Sequence, residues 1–249
     1  MKTILFLNNN PFSSIMFEAF VENSSHEIDF AFIFPFKTKK QNIINQIIFF
    51  HKLYGTIGFI KKLIQLFKLK FKKKKYKNIY KLLSKNNIKY ERYNSPKNTL
   101  LEKKLLKLKP DIIIAALPHI IPKKIIEIPT IGIFNKHSSL TPHYKGVYPI
   151  FWQMLNQEEK MGITIHKMSE KIDEGEILYQ RSFNLDLNLS FDENYWFIIN
   201  NTSEVIIHAH NKLKSNDYNL IRPSEKGSYF SYPRKEDIKK FKSLGLRII

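Results

Sequence analysis

Short, unbroken apolar runs constrain this chain more than any other feature of its sequence. Thr3–Leu7, Ile28–Phe34 and Asp111–Leu117 (Ile112-Ile113-Ile114 at its start) carry no polar/apolar alternation. Such runs suit strands buried on both faces of a parallel sheet. Each meets punctuation: Asn8-Asn9-Asn10-Pro11 after the first, Pro35 after the second, Pro118 after the third. A helical pattern over Phe12–Val21 separates the first two. Strand, turn, helix, strand is the opening of an α/β unit.

The rest of the chain extends this pattern. Ile88–Tyr93, Thr130–Phe134, Met161–Met168 and Glu176–Phe183 read as further strands. Thr99–Leu108, Pro149–Leu155, Phe191–Leu213 and Asp237–Leu244 read as helices, with one or two helical turns over Pro122–Glu127. The expectation is an α/β fold, a Rossmann-like parallel or mixed sheet with flanking helices, over residues 1–185. A small C-terminal appendage, helix, β-hairpin and short helix, is expected over 186–249.

Composition narrows the function classes. The 249 residues include 41 Lys+Arg against 22 Asp+Glu, a formal charge of +19, with 43% hydrophobic residues and no cysteine. That apolar content excludes wholesale disorder. The missing cysteines exclude a disulfide framework, a thiolate nucleophile and Cys-ligated zinc. No run approaches the roughly 20 apolar residues that span a bilayer, and the apolar start Ile4–Leu7 ends too early for a signal peptide. A cytoplasmic protein with no membrane insertion is the expectation. Lys61–Lys77 invites a nucleic-acid or membrane reading. The competing reading is a solvated lysine face, its stripe of Ile60, Leu63, Ile64, Phe67 and Phe71 packed on the sheet, with AT-rich coding as the source of the lysines.

Several familiar catalytic signatures are missing: no phosphate loop, no Gly-x-Gly-x-x-Gly after the first strand, no His-Glu-x-x-His and no Gly-x-Ser-x-Gly. His208 and His210 are two apart on a helix and make a poor metal pair; no metal site is expected. The informative stretch is Asn135-Lys136-His137-Ser138-Ser139-Leu140-Thr141-Pro142-His143-Tyr144-Lys145-Gly146. Asn135 and His137 sit at a strand end and project from one face, about 6.6 Å apart along the strand. In open α/β sheets ligands bind beyond the carboxyl ends of the strands. Asp173, in a turn between two later strands, is within reach of the imidazole. An amide donor, a base and a carboxylate without a Ser or Cys nucleophile describe direct acyl transfer. The same three residue types are also common as caps and turn formers.

These residues resemble the folate-dependent formyltransferase family. Asn135-x-His137, then Ser139-Leu140-Thr141-Pro142-His143-Tyr144-Lys145-Gly146, then Asp173-Glu174-Gly175-Glu176-Ile177-Leu178 arrive in the family's order. Ile120-Ile121-Pro122-Lys123 is similar to its upstream segment. Thr141 stands where Leu is usual, and Lys145 where Arg is usual, which keeps a charge but loses a bidentate fork. The resemblance implies N10-formyltetrahydrofolate as co-substrate and an amine acceptor. It implies that Asn135 polarises the formyl carbonyl, that His137 assists proton removal from the amine, and that Asp173 orients His137 or a water. The pterin is expected near His119, Ile120 and Ile121 and against the loop containing Lys171 and Ile172.

Three acceptors compete. Glycinamide ribonucleotide enzymes of the family carry a Gly-rich phosphate loop where this chain has Asn8-Asn9-Asn10-Pro11. Initiator-tRNA enzymes carry a β-barrel of about 100 residues for which little length remains after Phe183. The resemblance to short sugar N-formyltransferases, including Gly227–Arg234, favours the amine of a nucleotide-linked 4-amino-4,6-dideoxysugar, dTDP-linked, for surface polysaccharide (O-antigen) synthesis. Methionyl-tRNA formylation and a non-catalytic basic module are the alternatives. Tyr229, Phe230 or Tyr232 would stack on the base, unless these aromatics close a small core under the last helix. Lys145 or Arg234 would meet the diphosphate. Asn10, Tyr144, Tyr148 and Trp152 are further sugar-pocket candidates. A homodimer without nucleic acid is expected, with the carboxy-terminal segment at its interface.

Overall fold

The computed structural model describes residues 1–36, 43–71 and 78–249. The strands are β1 (Thr3–Asn8), β2 (Ile28–Phe34), β3 (Tyr90–Arg92), β4 (Ile112–Ala115), β5 (Gly132–His137), β6 (Lys145–Gly146), β7 (Lys160–Lys167), β8 (Ile177–Asn184) and β9 (Tyr229–Phe230). The helices are α1 (Pro11–Ser24), α2 (Ile43–Phe71), α3 (Ile79–Lys85), α4 (Thr99–Leu108), α5 (Lys123–Ile126), α6 (Pro149–Leu155), α7 (Phe191–Lys214) and α8 (Lys235–Ser243). Strand order in the main sheet is β3-β2-β1-β4-β5-β7-β8. The first five of these strands run parallel; β7 and β8 are antiparallel to their neighbours.

The unbroken apolar runs have the expected consequence. Alternate residues of each strand enter two different cores. Ile4, Phe6, Phe32, Phe34, Ile113 and Ile133 pack under α4 and α5 through Leu101, Leu105 and Ile125. Leu5, Leu7, Ile33, Ile112, Ile114 and Phe134 pack under α1 and α7 through Phe17, Phe20, Ile198 and Ile206. Helix starts follow local chemistry. Asn10 caps α1 by accepting from Ser13 N–H, with Pro11 next in the first turn. Ser190 and Glu193 form a capping box on α7.

Two expectations fail. The carboxy-terminal hairpin is absent: β9 pairs in parallel with β6, so the tail completes a two-stranded sheet with the segment that follows β5. Gly146 makes this approach possible, because at φ +93° a Cβ there would lie 2.2 Å from the Phe230 carbonyl oxygen. The stripe on α2 does not pack on the sheet either. Ile60, Leu63, Ile64 and Phe67 are 52%, 50%, 49% and 63% exposed, while the side chain of Phe71 and the lysine-rich residues 72–77 lie outside the described set. The physical reason is that α2 docks through a different face. Gly55 (φ 69°, ψ 170°) breaks it into two arms. Beyond the break, Gly58 meets Tyr54 and Ile249, and Lys62 is drawn inwards by the buried Asp192 at 2.7 Å, which also accepts from Tyr54 Oη at 2.7 Å.

Candidate active site

The carboxyl end of β5 and the loop between β7 and β8 bring His137 and Asp173 within 3.5 Å of each other. β5 continues through His137, so Asn135 and His137 are both held on strand backbone and both are buried. Across the antiparallel pairing His166 of β7 stands opposite Asn135, and Thr164 opposite His137. Asp173 enters from the loop between β7 and β8, in the left-handed region at φ 52°. That loop is tightly fixed: a Cβ on Gly175 would sit 1.5 Å from the Lys167 carbonyl oxygen.

The cluster is short of protons. His137 Nε2 lies 2.8 Å from the Tyr144 carbonyl oxygen, which only accepts, so Nε2 carries the hydrogen. The neutral ring then turns a bare Nδ1 towards Asp173 Oδ2, 3.5 Å away. His166 stands on the other side of the carboxylate: its Nδ1 lies 3.3 Å from the Lys167 carbonyl oxygen, and its Nε2 3.6 Å from Asp173 Oδ1. Gly146 N–H donates to Asp173 Oδ2 at 2.9 Å. Burial by itself would raise the Asp173 carboxyl, but His137, His166 and the Gly146 N–H outweigh it and hold the group at about 2. Burial pushes His137 below the ordinary histidine value, against the opposing pull of Asp173. At neutral pH the site therefore pairs an ionised carboxylate with a neutral imidazole whose free nitrogen faces it. One proton gained there turns a lone-pair contact into an ion pair. His166, absent from the sequence reading, is revealed only by strand register.

The other expected residues divide. His119 lies in the loop beyond β4, against Phe34, and neither of its ring nitrogens has a protein partner. Burial lowers its titration. Asn135 Oδ1 and His166 Nε2 are likewise buried without a hydrogen-bond partner. Ile120, Lys171 and Ile172 are exposed at the surface, whereas the Ile121 side chain is buried in the core with Ile125. Asn10 Oδ1 is engaged by Ser13 N–H as the cap of α1.

Lys145 departs from the expectation that it meets a diphosphate. It is buried, and its ammonium is spent on Glu174 Oε1 at 2.8 Å and the Lys226 carbonyl at 2.9 Å. Phe230 behaves as core, stacked between Tyr144 (5.3 Å) and Trp152 (4.7 Å), and Trp152 Nε1 donates to the Ser231 carbonyl. Tyr144 Oη donates to Glu158. Tyr229 and Tyr232 stay exposed. Tyr232 and Tyr148 both contact Phe49 of α2, each at 5.3 Å. Beside them a cavity of about 270 Å³ is lined by Phe49, Lys52, Pro233, Arg234 and Lys235. Tyr148, against Phe49 of the cavity wall, lies two residues after Gly146, whose N–H donates to Asp173.

Comparisons with known proteins agree with this geometry. The family model described as Formyl transferase matches residues 66–209, and the chain belongs to that family. Methionyl-tRNA formyltransferase of Clostridioides difficile (strain 630) is 43% identical over 91 residues, 36% of this chain and 29% of that one. The chain thus matches less than a third of that relative's length. A sugar N-formyltransferase from Shewanella sp FDAARGOS_354 superposes with TM-score 0.61 at 18% identity, covering 98% of this chain and 80% of the other. The N-formyltransferase of Helicobacter canadensis, in complex with folinic acid and dTDP-3-aminofucose, superposes with TM-score 0.61 at 19% identity, covering 100% and 84%. The Rossmann-like formyltransferase fold expected from the sequence is therefore the observed one.

Proposed function

We propose that this chain transfers a formyl group from N10-formyltetrahydrofolate to the amine of a nucleotide-linked 4-amino-4,6-dideoxysugar, dTDP-linked, for surface polysaccharide synthesis. The observation that carries the acyl-transfer part is the proton-poor cluster of His137, Asp173 and His166 beside the Asn135 amide. The folate fits what is there: Asn135 Oδ1, His119 and His166 Nε2 are buried polar atoms without protein partners, and such atoms call for a bound polar group. Exposed Ile120, Lys171 and Ile172 would border it; Ile121 would contribute backbone alone. When bound, the folate supplies an activated one-carbon acyl group.

The chain's own residues then act in order. The Asn135 amide N–H donates to the acyl oxygen as negative charge develops on it, in a buried site where such a donor is worth about 3 kcal/mol or more. His137 Nδ1 accepts the proton lost by the attacking amine. Asp173 and the Tyr144 carbonyl hold the resulting imidazolium, and the proton leaves again to the departing nitrogen. No covalent bond to the protein is needed in this sequence of steps.

The sugar-nucleotide part is supported by the cavity next to Tyr148 and Tyr232. Its aromatic wall at Phe49 and its cationic rim of Lys52, Arg234 and Lys235 suit a base and a diphosphate. Methionyl-tRNA formylation is the second reading, favoured by the sequence relatives and by the lysine excess. Incubation with N10-formyltetrahydrofolate and dTDP-linked amino sugars, followed by mass spectrometry, separates them. The expected outcome is a gain of one formyl group on the sugar nucleotide. Formylation of charged initiator tRNA, with none of any dTDP- or GDP-linked amino sugar, would overturn the sugar reading.

The working base must be neutral, and burial lowers His137 from 6.5. The acid limb of kcat/KM is therefore expected below pH 6.5, with activity lost as pH falls. A flat profile through that range would remove His137 as the base.

A further inference from the structure

The second arm of α2 turns much of its apolar surface outward. Its inward side carries Gly58, Lys62 and Gln65 beside Phe59, with Lys62 in a buried ion pair and Gln65 Oε1 buried without a partner. Its outward face carries Ile57 (74% exposed), Ile60, Leu63 and Ile64, with exposed Lys61 among them. Positions 57, 60 and 64 follow helical spacing, so the isoleucines form one stripe. Amphipathic helices on water-facing surfaces have the reverse arrangement. An outward apolar stripe marks a surface with something to bind.

Charge identifies the occupant. From Phe30 to Tyr90 the sequence contains no Asp or Glu, while Lys recurs from Lys37 to Lys89. A second copy of this chain would bring together two stretches rich in Lys and without Asp or Glu, which opposes self-association through them. RNA would satisfy the lysines but makes no use of exposed isoleucines. An anionic bilayer surface satisfies both: the apolar stripe enters the headgroup–acyl boundary while lysines meet lipid phosphates. No described helix is long and apolar enough to cross a membrane, so the helix lies in the surface plane. We propose that the arm Thr56–Phe71 of α2 docks this enzyme on an anionic lipid surface, independently of which amine it formylates.

The test is flotation of the full chain with vesicles. Vesicles of equal parts phosphatidylglycerol and phosphatidylcholine are compared with phosphatidylcholine alone. The chain is expected to float with the anionic vesicles only, and less so as salt is raised. The triple variant Ile57→Ser, Ile60→Ser, Ile64→Ser is expected to lose binding by about tenfold or more while formylation in solution is unchanged. As a second readout, Ile60→Trp adds an emission that shifts to the blue on adding anionic vesicles. Failure to float overturns the proposal. So does equal binding by the triple variant, which would leave plain electrostatics. RNA binding indifferent to the triple change, or a dimer abolished by it, would reassign the face to nucleic acid or to a second copy.

Discussion

Two regions of the molecule hold their charged groups in opposite ways. At the ends of β5 and β7, backbone groups hold the two rings and the carboxylate: the Tyr144 and Lys167 carbonyls face His137 and His166, and Gly146 N–H donates to Asp173. In α2, the first arm is seated by apolar packing of Leu53, Tyr54 and Phe49, while the second carries one ion pair, Lys62–Asp192 with Tyr54, on its inward side. The first arrangement has many constraints on few atoms and permits no rotation of them. The second has few constraints on many atoms. The proton transfer proposed for the cluster would need the former, because a displacement of about 1 Å at such a site costs on the order of 100-fold in rate. A helix that only has to present a face can be held by the latter.

The sharpest way to break this contrast is at the cluster. His137→Asn and Asp173→Asn are each expected to lower kcat by about 1,000-fold, the range of general acid–base catalysis, with little change in KM, and His137→Asn with little change in thermal stability at neutral pH. A large Tm loss instead would make the cluster structural. Asp192→Ala attacks the other region. It leaves Lys62 buried without its partner, and loss of one member of such a pair costs about 3–5 kcal/mol, read as a lower denaturation midpoint. If stability is unchanged, α2 is held by something other than this pair. His166→Asn is expected to cost about tenfold in kcat and to shift the acid limb of the pH profile, since it removes a ring from Asp173 but leaves His137 in place. An unmoved limb would confine His166 to packing. Ile60→Ser should change stability by no more than about 0.5 kcal/mol, as for other surface substitutions; a larger loss would show that the stripe is core after all.

Acid stability follows from the same cluster, with a definite sign. Asp173 is held at about 2 against 3.8, so it stabilises the fold above about pH 3.8, and that contribution is lost as pH falls through 2. His137 is also lowered. The fold prefers it neutral, and stability falls as pH drops below 6.5.

What the sequence made legible depended on range. Asn135 and His137 were readable because a strand has a period of two, and the two parallel-sheet cores because the apolar runs were unbroken. Asp173 needed the loop to return across β7, which spacing permitted but did not require. His166 was not readable, because cross-strand register joins residues through pairing rather than through spacing. The sense of α2 was unreadable for a related reason: its stripe has ordinary core periodicity, and the partner of its inward Lys62 lies far along the chain at Asp192. Lys145 illustrates a third kind of miss. Its charge was plain, but the nearby Glu174 that absorbs it is exposed to view only in the fold.

The left-handed turn at Asp173, with Gly175 pressed against Lys167, has an evolutionary consequence. A carboxylate delivered by so tight a loop can be neither lengthened nor re-aimed, so changes of acceptor must come from outside it. A different acceptor would have to be accommodated by residues outside that loop, such as Phe49 and Arg234 at the cavity between α2 and the tail.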